Sequence, residues 1–463
     1  MQADDRERFH GRLSFITLGA TSWSRFGHHA VNFKRAPAGR EPAAKLRRAR
    51  DASRWGRARG TGLQTNSHPG RDPNLRSRHH PAWCARMRLG VSAPKRLLFL
   101  FSDTGAGHRA AAEAVAEALH RRYPNQFVVD CYDPMADQRV IAGRLTALYG
   151  PITRRAPFLW ATAYHATNLK PTVRLFQHAV GRGLRRKLRG ALEPRPALVA
   201  SFHPLLNHVA VDVMPYGVPR ITVITDWVDF HEAWTDLKAD CIICPSEAAY
   251  DLCRRRGVPA ERLVKAGLPI HPRFQDAIRG FTDKRSMRLR LRLRPHAPTV
   301  LLAGGGDGTE PLRKYAAALA RSPLDIQVLA VCGRNQALAE GIRQDNHSGV
   351  HVFGFVDNMP ELLLAADLLV TRAGPGMIAE GLACGCPLLL TGNLPGQEAG
   401  NVKEVLRRDL GQYVPRPADL LEAVTGWFAR TESERIADGE RARAAADPGA
   451  AFQIADVLAR MAA

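Results

Sequence analysis

At 463 residues the chain is longer than one ordinary hydrophobic core serves, and it suits two domains with extensions. Its 45% hydrophobic and 24% charged residues are normal for a globular protein, and no apolar run approaches the 18 residues of a membrane-spanning helix. The net charge of +22 is uneven: residues 1–94 hold 19 Lys and Arg against 6 Asp and Glu, with little apolar periodicity, as in a disordered basic extension.

That extension is open to three readings: a basic tail for anionic lipid or nucleic acid, a transit-type segment, or sequence upstream of a true start at Met87. No secretory signal pattern stands at its head. From Arg96 the grammar changes. Arg96–Ser102 is a short apolar run, as in a buried parallel strand, and Asp103–Gly107 is a glycine-bearing loop. Ala110–Tyr123 has helical periodicity, and Phe127–Tyr132 is a second strand. Residues 134–190 mix Tyr149, Phe158, Trp160 and Tyr164 with many Lys and Arg. They predict amphipathic helices that either face water or lie on anionic headgroups. Ala197–Phe202, Arg220–Thr225 and Cys241–Cys244 are further strands.

After the basic stretch Thr282–Arg294 the pattern restarts. Thr299–Ala303, Gln327–Cys332, Val350–Phe353, Leu368–Thr371 and Pro387–Leu390 read as strands, with helical segments between them. Repeated β-loop-α units imply parallel sheets covered on both faces. The expected organisation is an extension over 1–94, an α/β domain over 95–280, a linker over 281–295, and a second α/β domain with C-terminal helices over 296–463. A cleft between two such domains, at the C-terminal edges of their strands, is the expected ligand site.

Three segments carry chemistry. In Ser102–Arg109 (SDTGAGHR), Gly105 and Gly107 permit a tight turn into a helix. His108 falls in that helix's first turn, where the macrodipole keeps an imidazole neutral. It is either a general base or a packing residue. Gly304–Thr309 (GGGDGT), with Gly305 and Gly306, is neither a dinucleotide fingerprint nor a P-loop, and reads as a generic loop approaching phosphate or sugar. In Arg372–Asn401, Gly374, Pro375 and Gly376 open a helix at about Met377 whose free N–H groups suit a diphosphate without metal. Glu380 lies one turn in, within reach of ribose hydroxyls, and Gln397, Glu398 and Asn401 suit sugar hydroxyls. Asp226 and Asp229, with His231 close by, either flank an acceptor or cap a helix. Cys241 and Cys244 form a single CxxC, whereas zinc ribbons need two, so no metal site is expected. Scattered cysteines in apolar runs suggest a reducing compartment.

Taken together, SDTGAGHR, VITDWVDFHEAW (Val223–Trp234), PSEAAYDLCRRRGVPAERLVKAGLPIHPRF (Pro245–Phe274), GGGDG, GFVDNMPELLLAADLLVTRAGPGMIAEGLACGCP and PGQEAGN resemble the monogalactosyldiacylglycerol synthase and processive diacylglycerol glucosyltransferase family, related to the enzyme that adds N-acetylglucosamine to lipid I. The resemblance spans about residues 96–440. It implies a GT-B fold of two Rossmann-like domains, with acceptor in the first and UDP-sugar in the second. It further implies inverting hexosyl transfer to a lipid, with no cofactor beyond the donor substrate and no catalytic metal. It assigns His108 as general base; on the residues themselves, Asp226 joins the catalytic set, and Gly105, Gly107 and Asp229, with His108, the acceptor site. Phe355 and Val356 fall to uracil, Gly305 and Gly306 to the donor, Gly374, Pro375, Gly376 and Met377 to diphosphate, Glu380 to ribose, and Gln397 with Glu398 to the sugar. Met377 departs from the small hydroxyl residue common in the plant-type enzymes. The expected setting is cytoplasmic, peripheral on the inner face of the cell membrane. Two rival classes remain at this stage: a UDP-sugar 2-epimerase of similar two-domain design, and a basic nucleic-acid-binding protein, although no nucleic-acid motif stands out.

Overall fold

The computed structural model describes residues 32–34 and 93–463, except 104–106, 138–142, 145–147, 149, 154–155 and 307–310. Gly105 therefore lies outside the described residues, as does nearly all of the basic extension.

The first lobe is built from β1 (Asn32–Lys34), β2 (Lys95–Leu100), α1 (Gly107–Arg122), β3 (Phe127–Tyr132), α2 (Pro157–Thr167), α3 (Lys170–Ala191), β4 (Leu198–Ser201), α4 (Pro204–Val211), β5 (Arg220–Val223), β6 (Cys241–Cys244), α5 (Glu247–Arg255), β7 (Leu263–Lys265) and α6 (Pro272–Arg279). Its strands run parallel in the order β1-β3-β2-β4-β5-β6-β7. The second lobe holds α7 (Lys284–Arg290), β8 (Thr299–Ala303), α8 (Pro311–Leu319), β9 (Gln327–Val331), α9 (Gln336–Gln344), β10 (Val350–Phe353), α10 (Met359–Ala365), β11 (Leu368–Thr371), α11 (Pro375–Ala383), β12 (Leu388–Leu390), α12 (Ala399–Arg407), β13 (Gly411–Tyr413), α13 (Pro417–Phe428) and α14 (Glu432–Ala444). Its sheet is also parallel, in the order β10-β9-β8-β11-β12-β13.

The strands read as unbroken apolar runs because both faces of each sheet are covered. Leu97 and Phe99 enter one core cluster and Leu98 and Leu100 another, the period-2 alternation of a strand. Leu301 and Val300 divide in the same way in the second lobe. From β2 onward the first sheet reverses its winding once, between β2 and β4, as the second does between β8 and β11. Loops diverge at such switch points and leave a crevice at the strand C-termini. SDTGAGHR follows β2, GGGDGT follows β8, and the Gly-Pro-Gly turn follows β11. All three motifs thus stand at switch points.

The chain departs from the expected layout in three places. The segment 281–295 is not a free linker: α7 docks on the second lobe, with Arg288 Nη2 2.7 Å from Asp367 Oδ2 and its Nε donating to the Ala365 carbonyl. The last helix, α15 (Ala450–Met461), leaves the second lobe and packs on α1. Its Ile454 and Leu458 share a core cluster with Leu97 and Ala112, and the Tyr123 hydroxyl donates to Asp456 Oδ1 at 2.9 Å. The apolar stripe of α15 matches the covering that β2 and β3 need, which binds the end of the chain to its first lobe. Within the expected disordered extension, Asn32–Lys34 forms an edge strand, Asn32 opposite Asp130.

Candidate active site

On the first lobe, α1 opens directly after the glycine loop, so His108 sits at its amino end. His108 Nδ1 lies 2.7 Å from Thr225 Oγ1, and its ring meets His203 edge-on at 4.7 Å and Trp234 at 5.9 Å. Burial pushes the His108 imidazole down to about 4, against a smaller opposing effect of the Phe202 backbone. The ring is therefore neutral at physiological pH, as its place at a helix N-terminus requires. Burial and the neighbouring His108 also hold His203 well below the usual histidine range. Thr225 and His203 are the partners that motif reading did not anticipate. They lie 117 and 95 residues from His108 and meet it only through the switch point.

Asp226 does not touch His108. It is buried, with Oδ2 accepting from Trp234 Nε1 at 2.6 Å and Oδ1 accepting from Gln397 Nε2 of the other lobe at 3.2 Å. Burial lifts its carboxyl to about 6, with the Trp234 and Gln397 bonds opposing that rise. Among Asp226, Asp229 and His231, it is His231 that caps a turn. Its Nδ1 accepts from Ala233 N–H, and its Nε2 lies 3.1 Å from Thr167 Oγ1 of α2. Asp229 is exposed and faces α12 so closely that a Cβ on Gly400 would collide with its carboxylate. At the same seam Gly396, at φ +84°, passes Tyr164 of α2, where a Cβ would stand 2.9 Å from the ring. Glycine is needed at both positions for the close approach of the two lobes.

On the second lobe, Gly374 precedes α11 with no side-chain cap, and Pro375 takes the first helical position. Beyond its own helix and chain neighbours, no described atom lies within 4 Å of where a Cβ on Gly376 would be, and α11 has no acidic residue in its first turn. Glu398 Oε1 and Arg372 Nη2 stand 3.8 and 4.0 Å from where a Cβ on Gly374 would be. Uncapped N–H groups and the positive end of the helix dipole suit an anion there. Gly305, at φ +74°, and Gly306 form the loop after β8, and Arg334 N–H donates to the Gly306 carbonyl at 2.9 Å. Met377 packs its side chain against the lobe's core. Glu380 lies one turn along α11, and burial raises it to about 7 despite the opposing charge of Arg273. Phe355 is exposed, while Val356 leans on the core. Glu398 is buried and committed: Oε1 lies 3.1 Å from Arg372 Nη2, and Oε2 accepts from Leu394 N–H at 2.7 Å. Asn401 Nδ2 donates to the Ala373 carbonyl and so ties α12 to the Gly-Pro-Gly turn. Cys244 faces Cys253, Sγ to Sγ 3.9 Å, inside the first-lobe core. Among the described residues no group of three or more His, Cys, Asp or Glu is placed to hold a metal ion.

The structure thus brings Asp226 and Asp229 of one lobe to Gln397 and Gly400 of the other, while His108 stands one step behind that seam, on Thr225 and Trp234. Two Rossmann-like lobes with a neutral histidine on one and an uncapped helix end on the other define a GT-B architecture, and solved structures agree on the fold. The chain resembles MurG of Acinetobacter baumannii (TM-score 0.51, 17% identity, covering 79% of this chain and 100% of that one). It also resembles the UDP-GlcNAc 2-epimerase of Neisseria meningitidis (TM-score 0.53, 12% identity, 79% and 100% covered), so fold alone does not separate transferase from epimerase. Sequence does: residues 108–270 match the monogalactosyldiacylglycerol (MGDG) synthase family and residues 299–413 the glycosyltransferase family 28 C-terminal domain. The chloroplastic monogalactosyldiacylglycerol synthase of Spinacia oleracea is 32% identical over 78% of this chain and 72% of its own length. The chain belongs to the monogalactosyldiacylglycerol synthase family of glycosyltransferases.

Proposed function

We propose that this protein transfers a hexose, galactose by analogy with its named relatives, from a UDP-sugar to the free hydroxyl of diacylglycerol, inverting the anomeric centre. The reading is carried by a neutral His108 bonded to Thr225, the chain neighbour of the Asp226 that meets Gln397 across the seam. His108 takes the proton of the acceptor hydroxyl, whose oxygen attacks the anomeric carbon as UDP departs. Charge developing on the diphosphate is taken up by the N–H groups at the start of α11, Gly376 and Met377 among them. Gly305 and Gly306 flank the same crevice, Glu380 takes the ribose, Phe355 and Val356 take the uracil, and Gln397 the sugar. Gly107 leaves room for the acceptor beside His108.

The acceptor is a lipid, and one exposed face of the first lobe suits binding at a membrane. No helix of the described residues is long and apolar enough to cross a membrane. α3 instead carries Leu175, Arg182, Arg186 and Arg189 on one exposed stripe, opposite the buried Val173, Leu184 and Leu188. Phe158, Leu159 and Leu169 are exposed on and beside α2. Apolar side chains among cations suit peripheral binding to anionic headgroups. We place the enzyme on the cytoplasmic face of the cell membrane.

The test is a donor screen with mixed micelles of diacylglycerol, reading UDP release and product mass. The expected product is a monohexosyl diacylglycerol from UDP-galactose or UDP-glucose. His108→Ala is expected to lower kcat by about a hundredfold or more, the usual contribution of a positioned base. Transfer persisting within a few-fold of wild type would remove His108 from this role.

A further inference from the structure

We infer that Asp226 sets which end of the Gln397 amide faces the donor sugar, and thereby helps to decide which hexose is accepted. The inference rests on the reading of Gln397 as a sugar-contacting group. An ionised carboxylate only accepts hydrogen bonds. One Asp226 oxygen is committed to Trp234 Nε1 at 2.6 Å, and the other faces Gln397 at 3.2 Å. Gln397 must therefore turn its nitrogen to Asp226, which leaves its carbonyl as the free end. The neighbouring Glu398 is buried and already accepts from Arg372 and Leu394 N–H, one on each oxygen. The loop thus presents an acceptor to the sugar, and it selects a hexose whose hydroxyl points there to donate. An epimer that turns this hydroxyl away leaves the carbonyl unpaired in a closed site, which is the kind of mismatch that polar sites reject strongly. Asp226 touches no reacting atom in this scheme and is a positioning residue.

Asp226→Asn tests it with almost no change of shape. Trp234 Nε1 needs an acceptor, so the new amide gives its oxygen to Trp234 and its NH2 group to Gln397. Gln397 must then rotate and present nitrogen, a donor, to the sugar. In Asp226→Asn/Gln397→Glu the new carboxylate accepts from the asparagine with one oxygen and offers the other to the sugar, which restores an acceptor. The readout is the ratio of kcat/KM for UDP-galactose over UDP-glucose, two donors that differ only at the C4 hydroxyl. The single variant is expected to move that ratio toward unity by about tenfold, and the double variant to return it to within about threefold of wild type. Gln397→Met, which removes the carbonyl and leaves Asp226 alone, is expected to lose the ratio in the same way. Equal losses on both donors in Asp226→Asn, with the ratio unmoved, overturn the inference, as does a double variant that fails to recover it. A wild type inactive on both donors overturns the proposed function and this inference with it. An active wild type with an unmoved ratio overturns the inference alone.

Discussion

Glu380 and His108 owe their environments to the same device, a helix that begins directly at a glycine turn, and that is why both were legible in the sequence. Gly and Pro at a strand end announce the turn, and a titratable residue just beyond it lies near the amino end of the helix that follows. The partners were not legible. Thr225 and Gln397 reach His108 and Asp226 from 117 and 171 residues away, and no local pattern encodes such pairs. Glu380 also makes a prediction of its own. Its carboxyl is raised to about 7 by burial, so in the empty site it is largely protonated at pH 6 and largely ionised at pH 8. If the ribose hydroxyls donate to it, only the ionised form serves both. Affinity for UDP-galactose, whose diphosphate does not titrate in this range, is then expected to strengthen by about tenfold from pH 6 to pH 8 and level off above. Glu380→Gln is expected to bind weakly with a flat pH profile. Calorimetric titration at several pH values checks both, and a wild-type affinity that stays constant across the range rules out this role for the carboxylate.

Elements were recovered from sequence in proportion to their length and burial. Every strand of four or more residues stood out as a mainly apolar run, because a parallel strand covered on both faces buries most of its side chains, and the few polar ones, such as Asp130 and Gln327, are hydrogen-bonded. The three missed, Asn32–Lys34, Leu263–Lys265 and Gly411–Tyr413, are three-residue edge strands. An edge strand buries less and pairs on one side only, so its sequence is freer. α15 was expected with the second lobe because chain order suggests it; only its packing on α1 shows otherwise. α3 was foreseen as an amphipathic helix, and the structure decides which face is solvent-exposed. Arg185 and Lys187 are engaged with Asp212 and Asp137, whereas Arg182, Arg186 and Arg189 share the exposed stripe with Leu175. Replacing those three arginines by glutamate reverses the stripe without disturbing the buried side. At about 1 kcal/mol per basic residue near an anionic surface, the variant is expected to lose vesicle binding by a hundredfold or more. It should keep its UDP affinity. Co-sedimentation with vesicles containing about a third anionic lipid measures the first quantity and calorimetry the second. Equal sedimentation of variant and wild type would move the membrane face elsewhere.

On the proposed mechanism the two lobes divide the chemistry. The proposed acceptor base stands on the first, the helix end expected to hold UDP on the second, and what joins the lobes is a seam of close approaches: Asp226 with Gln397, Asp229 with Gly400, and Tyr164 with Gly396. Such a seam separates donor binding from transfer. On that mechanism the UDP moiety is gripped by α11 of the second lobe, whereas sugar orientation and attack also need first-lobe groups, Asp226 and His108, and water shut out. Gly400→Val tests that division. A Cβ there already meets the Asp229 carboxylate, and two further methyl groups on α12 leave that side chain little room to yield. The variant is expected to bind UDP within about twofold of wild type while kcat falls by about tenfold or more, since reacting groups about 1 Å out of place cost rates of that order or greater. Solution scattering in the presence of UDP should show a larger radius of gyration than wild type, because the lobes are held ajar. If UDP affinity falls in step with kcat, the grip on the nucleotide depends on both lobes, and the glycine seam serves binding rather than closure.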